Sequence, residues 1–358
     1  MLIPFLNLRI IRRQHETKLS QILPVLVALL AAFILSAFLV WMSGSDVKVA
    51  FIALWEGAFG NTRQVTETLN KAAPLILTGL AAAIAFRAKI WNIGAEGQLL
   101  SGAIAAYWAI SSFPGLPPAA MFILILLSSF LAGALIGLIS GFLKTRFNVD
   151  VIISTVMINY IITFLLSMLV DTVFSDPDSY YKWSPKIPEA AQFPLLLAKY
   201  RLHAGIIVAI VAAIVIYLLI EKSPIGYEIQ AIGHNPTASN FKGINKSRTL
   251  LFVMFISGGL AGLAGGGELA GLIHRLRIDF SPGYGFTGII VAMLAGLNPI
   301  WIPLTSLLFG ALLTGSLKMQ IVAGIPVALV YAIQAIVLLF VITAEFFTLY
   351  EIGRDSHD

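Results

Sequence analysis

The chain has 358 residues, of which 58% are hydrophobic and 11% charged, whereas a soluble domain carries roughly 45–50% apolar and about 25% charged residues. Its net charge of +5 is spread over short stretches between apolar runs, which excludes the basic stripe of a nucleic-acid binder and leaves orientation in a bilayer as the use of those cations. Cysteine is absent, so disulfides, thiolate nucleophiles and cysteine-held metals are excluded as well.

A hydrocarbon layer about 30 Å thick is crossed by roughly 20 apolar helical residues. The basic segment MLIPFLNLRIIRRQHETKLSQ leads into the first such run, 24–42. That run is longer than the apolar core of a secretory signal and lacks a small-residue cleavage site, so it reads as an uncleaved span. Further spans are expected at 67–86, 92–112, 119–142 and 149–171. The loop 172–202 follows, and its prolines and aromatics (Pro177, Tyr180, Tyr181, Trp183, Pro185, Pro188), with Asp176 and Asp178, suit a folded surface flap or an interfacial segment. Spans at 203–220 and 249–271 flank a polar stretch, 222–248. The segment 285–298 is short and bracketed by glycine, the pattern of a half-helix or re-entrant piece, which a membrane tolerates only where protein or a cavity surrounds it. Runs at 301–317 and 325–347 complete ten segments, and the whole of 1–358 reads as one all-α polytopic membrane domain.

Basic residues favour cytoplasmic loops. Arg9, Arg12, Arg13 and Lys18, then Arg87 and Lys89, Lys144 and Arg146, and Lys222, Lys242, Lys246 and Arg248 fall on one side if the N-terminus is cytoplasmic. Lys182, Lys186, Lys199, Arg201, Arg275 and Arg277 then lie outside, and both termini are cytoplasmic. SFLAGAL at 129–135 and SLLFGAL at 306–312 share Ser-x-x-x-Gly-Ala-Leu, and each precedes a Leu-Lys pair. The span count sets these copies in opposite orientations, the mark of an inverted-topology repeat.

In GHNPTASNFKG, residues 233–243, Asn235 suits an N-cap, Pro236 the first helical position and Gly243 a left-handed C′ position. About two turns of helix are bracketed, too few to persist alone in water. Either a partner protein or the membrane surface must hold them.

The surrounding SPIGYEIQAIGHNPTASNFKGINKSRTLLFVMFISGGLAGLAGG resembles the cytoplasmic coupling loop and following span of bacterial ABC-importer permeases of the branched-chain amino acid, ribose and nucleoside group. Gly226, Tyr227, Glu228, Gly233, Asn235, Ala238, Gly243 and Ile244 carry the first part of the resemblance, and Ser257, Gly258, Leu260, Ala261, Gly262, Ala264 and Gly265 the second. KIWNIGAEGQLLSGAIAA at 89–106 and SPGYGFTGIIVAMLAGLNP at 281–299 are similar to the simple-sugar and nucleoside branch of that family.

The resemblance implies a type II importer permease-like fold in the bacterial cytoplasmic membrane. It also implies a cytoplasmic ATPase that receives the coupling helix, a second permease subunit, identical or paralogous, and an extracytoplasmic solute-binding protein. The chain itself has no Gly-x-x-x-x-Gly-Lys-Ser/Thr phosphate loop, so ATP hydrolysis falls to another subunit and this one needs no cofactor. The expected coupling residues are Glu228, Gly233, Asn235, Pro236, Ala238, Ser239 and Gly243. Nucleosides are the first expectation for the solute, followed by simple sugars and riboflavin-like molecules.

Polar groups within a membrane usually face a cavity or a partner. Asn92, Glu96 and Gln98 therefore read either as path elements or as a helix start capped by Asn92 with Glu96 near the positive dipole end. Ser154, Asn159 and Tyr160 read as path residues or as interhelical hydrogen bonders. Glu268, beside a Gly265–Gly267 run expected to interrupt the seventh span, reads as a pathway carboxylate or, in preference, as a partner of Arg275 or Arg277. Arg63, Lys199, Arg201, Arg275 and Arg277 are candidates for docking the binding protein, as in related importers, and the scattered histidines 203, 234 and 274 make no metal site. Two other classes compete. An ion-coupled secondary transporter needs carboxylates near the bilayer midplane, whereas Glu96, Glu268 and Glu345 fall near span ends. A membrane enzyme needs a clustered nucleophile, base or metal set.

Overall fold

A computed structural model describes residues 2–3, 8–12 and 18–354; Arg13 and the side chains of Arg9, Arg12, Lys18 and Glu345 lie outside the described set. Helices dominate: α1 (Lys18–Met42), α2 (Val47–Phe59), α3 (Thr62–Arg87), α4 (Ala95–Ser112), α5 (Pro118–Phe147), α6 (Val151–Asp171), α7 (Gly205–Lys222), α8 (Pro224–His234), α9 (Pro236–Phe241), α10 (Lys246–Glu268), α11 (Tyr284–Leu294), α12 (Ile302–Ala323) and α13 (Val327–Leu349). Among the described residues, six helices are long and apolar enough to cross a membrane: α3, α5, α6, α7, α12 and α10 with its continuation to Ile273. The chain is a multi-pass membrane protein. Four of the expected spans fall outside that six. α11 has 11 residues, about 16 Å of helix or half a bilayer. α4 opens on the polar Glu96 and Gln98, and α1 and α13 include residues whose side chains are not described. The sequence reading left out α2 and α8 altogether.

The chain divides into two compact units. One, Met1–Gly57 with Gly315–Asp358, packs α1 against α13. Its small core holds Val40, Ala50, Ala53, Met319, Ile325 and Ile333, and Lys318 pairs with Glu56 at 2.8 Å.

The other, Ala58–Thr314, contains α3 to α11 and is built around α3 and α10. α3 is 89% buried over its apolar window, against 28% for α5, so α3 is central while α5, α6 and α7 turn large apolar side chains outward. α10 can be central because its face is nearly all backbone. A Cβ added to Gly262 would lie 2.1 Å from the Ser129 carbonyl oxygen, and one on Gly133 would lie 2.2 Å from that of Gly258. Small residues let helices approach where no hydrophobic force separates protein from lipid, and this accounts for the Gly-Ala pattern at 257–265. The glycines at 265–267 do not break the span: α10 runs through them and ends in a π turn, Leu269–Ile273.

Candidate functional site

α4 starts at Ala95 after a buried loop, and its N-cap is Gly94, which has no side chain to offer the first-turn N–H groups. The expected cap, Asn92, lies outside the helix. Its Oδ1 accepts from Gly94 N at 2.9 Å, and its Nδ2 donates to Gln98 Oε1 at 3.1 Å and to Ser257 Oγ at 2.9 Å. Ser257 Oγ donates in turn to Ala81 O at 2.7 Å, which ties α4, α10 and α3 together. The missing cap comes from α6: Asn159 Oδ1 accepts from Gly97 N at 2.8 Å, and its Nδ2 donates to Ile93 O at 2.9 Å.

Glu96 is buried and reaches a different helix, accepting from Gly285 N at 2.7 Å. Gly285 sits in the first turn of α11, whose N-cap Gly283 is preceded by Ser281; Ser281 Oγ accepts from Gly283 N and Tyr284 N, both at 3.2 Å. α11 follows α3 from Thr78, whose hydroxyl donates to Tyr284 O, to Arg87, whose Nε donates to Leu297 O. α4 follows α10 instead, with Gly102 facing Gly262. The two short helices therefore point away from each other with their N-termini in contact, and a Cβ on Gly285 would come within 2.3 Å of Glu96 N. The positive ends of both helix dipoles meet at one carboxylate.

Of the expected path residues, Asn92, Glu96, Gln98, Ser154 and Asn159 are buried. Ser154 Oγ donates within its own helix to Val151 O at 3.1 Å. Tyr160 alone faces outward, and Ile153, Met157 and Phe164 extend its exposed stripe along α6. Glu268 is buried, its Oε2 has no hydrogen-bond partner, and among the described residues it forms no ion pair with Arg275 or Arg277. Its expected partners are engaged elsewhere, Arg277 Nε 3.5 Å from Asp279 Oδ1 and Arg275 over the Trp183 ring.

On the face opposite the flap, α9 has the caps read from the sequence. Asn235 Oδ1 accepts from Thr237 N at 3.1 Å and Ala238 N at 3.0 Å, Pro236 takes the first turn, and Gly243 has φ +79°. Gly233 lies against the Arg87 carbonyl. Glu228 Oε2 accepts from Thr249 Oγ1 at 3.4 Å, beside a cavity of about 500 Å³ that Lys242, Gly243 and Arg248 also line. Ser239 is turned inward, whereas Phe241, which sequence reasoning passed over, is 90% exposed.

The flap is strapped along 270–277 by Ser184 N to Leu276 O, Ile187 N to His274 O and Phe193 N to Ala270 O, each 2.9 Å. This brings Arg201, Arg275 and Arg277 around one cavity. Arg63 lines a neighbouring cavity with Lys199 and Arg201, its Nε 3.2 Å from Glu67 Oε1. His203, buried under the flap, accepts from Gly205 N through Nδ1 at 3.1 Å. Burial and the neighbouring His274 push its pKa down to about 4. Burial, with Arg201 and Lys186 nearby, lowers that of His274 as well.

Residues 64–342 match the family model described as branched-chain amino acid transport system / permease component. The chain is 39% identical to the guanosine ABC transporter permease protein NupP of Bacillus subtilis, over 90% of this chain and 94% of that one. It is 34% identical to the glucose ABC transporter permease protein TsgB13 of Haloferax volcanii (96% and 92% covered) and 33% identical to the nucleoside ABC transporter permease protein NupB of Lactococcus lactis (91% and 92%). With the helical membrane architecture and a family match over most of its length, the chain belongs to the branched-chain amino acid transport system permease component family.

Proposed function

We propose that this chain is the membrane permease of an ATP-driven importer that carries nucleosides into a bacterial cell across the cytoplasmic membrane, with both termini cytoplasmic. The observation that carries the solute class is the 39% identity to a guanosine permease over nine-tenths of both chains. Ten membrane segments, α1, α3 to α7 and α10 to α13, form the body, and α11 is a half-length element. The inverted repeat pairs α3 with α10, α4 with α11 and α5 with α12. It is supported by the opposed N-termini of α4 and α11 and by α4 lying against α10 as α11 lies against α3. Two halves of that kind rock about a central path.

In this reading 222–248 faces the cytoplasm and α9 enters a groove of the ATPase. Glu228, Gly233, Asn235, Pro236, Ala238, Ser239 and Gly243 shape and seat that helix, and exposed Phe241 is its contact. The flap 172–202 is extracytoplasmic, and Arg63, Arg201, Arg275 and Arg277 steer a solute-binding protein. Tyr160 on the open face of α6 borders the path shared with a second permease subunit. Asn92, Glu96, Gln98, Ser154 and Asn159 hold the helices behind it.

The test is uptake by proteoliposomes containing this chain with the ATPase and binding protein encoded beside it. ATP-dependent accumulation of labelled guanosine is expected. ATP-driven glucose uptake with no guanosine uptake would favour the sugar reading, which the Haloferax relative motivates. Accumulation by this chain alone on an ion gradient would overturn the ATP-driven mechanism.

A further inference from the structure

Arg87 is the last residue of α3, and three other elements converge on it. Its carbonyl oxygen would lie 2.2 Å from a Cβ added to Gly233, at the end of α8 and just before Asn235, the N-cap of α9. Its guanidinium donates through Nη1 to Glu221 Oε1 of α7 at 2.5 Å and through Nε to Leu297 O, in the turn after α11, at 2.9 Å.

α8 and α9 are joined as one piece. Only Asn235 separates them; its N–H donates to Ala231 O at 2.9 Å, and its carbonyl accepts from Ser239 N at 3.0 Å. α8 is in turn seated on the body of the protein, with Ile229 and Ile232 buried and Gly226 against the Ile220 carbonyl, where a side chain would not fit. A displacement of α9 therefore bears on the end of α3.

α11 is held at both ends, Gly285 N by Glu96 and Leu297 O by Arg87. The turn at its far end is strained. Gly296 and Leu297 are both left-handed, with φ +58° and +56°, a conformation uncommon for a leucine and kept only where neighbours enforce it.

We propose that Arg87 is the positioning residue through which movement of α8 and α9 reaches the half-length α11. Its planar fork of donors grips two acceptors in fixed geometry, so a shift of the last turn of α3 is passed to Leu297 rather than absorbed. Coupling between distant sites requires an element with two arrangements that both sites bias, and the left-handed turn at 296–297 is that element. The inference rests on the importer reading and adds to it a residue that contacts neither the ATPase nor the solute.

The chain has no cysteine, so one introduced cysteine carries a spin label at a chosen place. The full chain is assembled in proteoliposomes with the ATPase and binding protein encoded beside it. A label at His234→Cys, exposed at the end of α8, follows the lever, and one at Ile300→Cys, 53% exposed beyond the turn, follows α11. With Arg87 in place, ATP and vanadate should change the spectrum at both positions. In Arg87→Gln the change at 234 should remain, the change at 300 should be lost, and guanosine moved per ATP hydrolysed should fall about tenfold. Glu221→Gln, which keeps the bond to Leu297, should reduce the same yield about threefold and serves if Arg87→Gln does not fold. Lys222→Gln, exposed beside Glu221, removes the same charge as Arg87→Gln and should behave as wild type.

A wild-type signal at 300 with a wild-type yield, in Arg87→Gln or in Glu221→Gln as its substitute, would overturn the assignment. Loss of the signal at both positions would make Arg87 a purely structural residue and overturn it too. A wild-type assembly with neither an ATP-driven signal nor uptake would instead remove the importer reading, and this inference with it.

Discussion

Glu96 in the first turn of α4 accepts a 2.7 Å hydrogen bond from the backbone N–H of Gly285 in the first turn of α11. It closes the contact between two helices that run in opposite directions, and the lack of a side chain on Gly285 is what permits it. Glu96→Ala leaves a buried N–H without a partner and should cost about 1–3 kcal/mol. Gly285→Ala forces a Cβ into the α4 backbone and should cost at least as much. Glu96→Gln keeps an acceptor and should lie between wild type and alanine. Thermal unfolding in detergent ranks the three. Equal stability of Glu96→Ala and wild type would remove the contact from any account of the core.

Asn159 caps α4 from a helix 62 residues away in sequence. Asn159→Leu should lower stability by about 1–2 kcal/mol, the usual cost of a lost cap together with a freed carbonyl. Asn159→Asp keeps the acceptor for Gly97 N and loses only the donor to Ile93 O, so it should be the milder change. Loss of uptake in Asn159→Asp with stability intact would instead make the residue part of the path.

Phe241 and Gly243 separate contact from geometry in α9. Phe241→Ala should leave membrane insertion unchanged and weaken ATPase association by roughly tenfold or more, as expected of an interface aromatic. Gly243→Pro replaces φ +79° with a ring fixed near −65°; it should insert normally but uncouple ATP hydrolysis from uptake. Co-purification and uptake measured side by side decide both. If Phe241→Ala keeps both the ATPase and wild-type uptake, the exposed tip is not the ATPase contact.

Acidification should loosen the flap. His203 titrates near 4 in the fold and near 6.5 when unfolded, so between those values the unfolded chain binds more protons. Stability is full above about pH 6.5 and falls as pH drops toward 4, by up to about 3 kcal/mol from this residue. His274, lowered by burial and by Arg201 and Lys186, adds in the same direction. Melting temperature followed from pH 7.5 to 4.5 checks the sign, and His203→Phe should flatten much of the slope. A melting temperature that rises on acidification would contradict it.

The local chemistry of this protein was legible in its sequence. Asn235, Pro236 and Gly243 bracket α9 as read, because an N-cap, a first-turn proline and a left-handed glycine act within a few residues of themselves. The length and grease of α3, α5, α6, α7, α10 and α12 were legible for the same reason. The Asn-Ile-Gly-Ala-Glu-Gly-Gln stretch announced a special site but not its partners. Asn92 looked like the cap of α4, yet Asn159 of α6 supplies it; Glu268 looked like the mate of Arg275 or Arg277, yet forms an ion pair with neither. Arg201 and Arg275 are far apart in the chain and line one cavity only because the flap is strapped along 270–277. Capping and span length are settled by neighbours one helical turn away, which the order of residues fixes. Which carboxylate meets which backbone N–H across a bundle is settled by how closely helices approach, and here that depends on glycines such as Gly262 and Gly285 meeting backbone from distant parts of the chain.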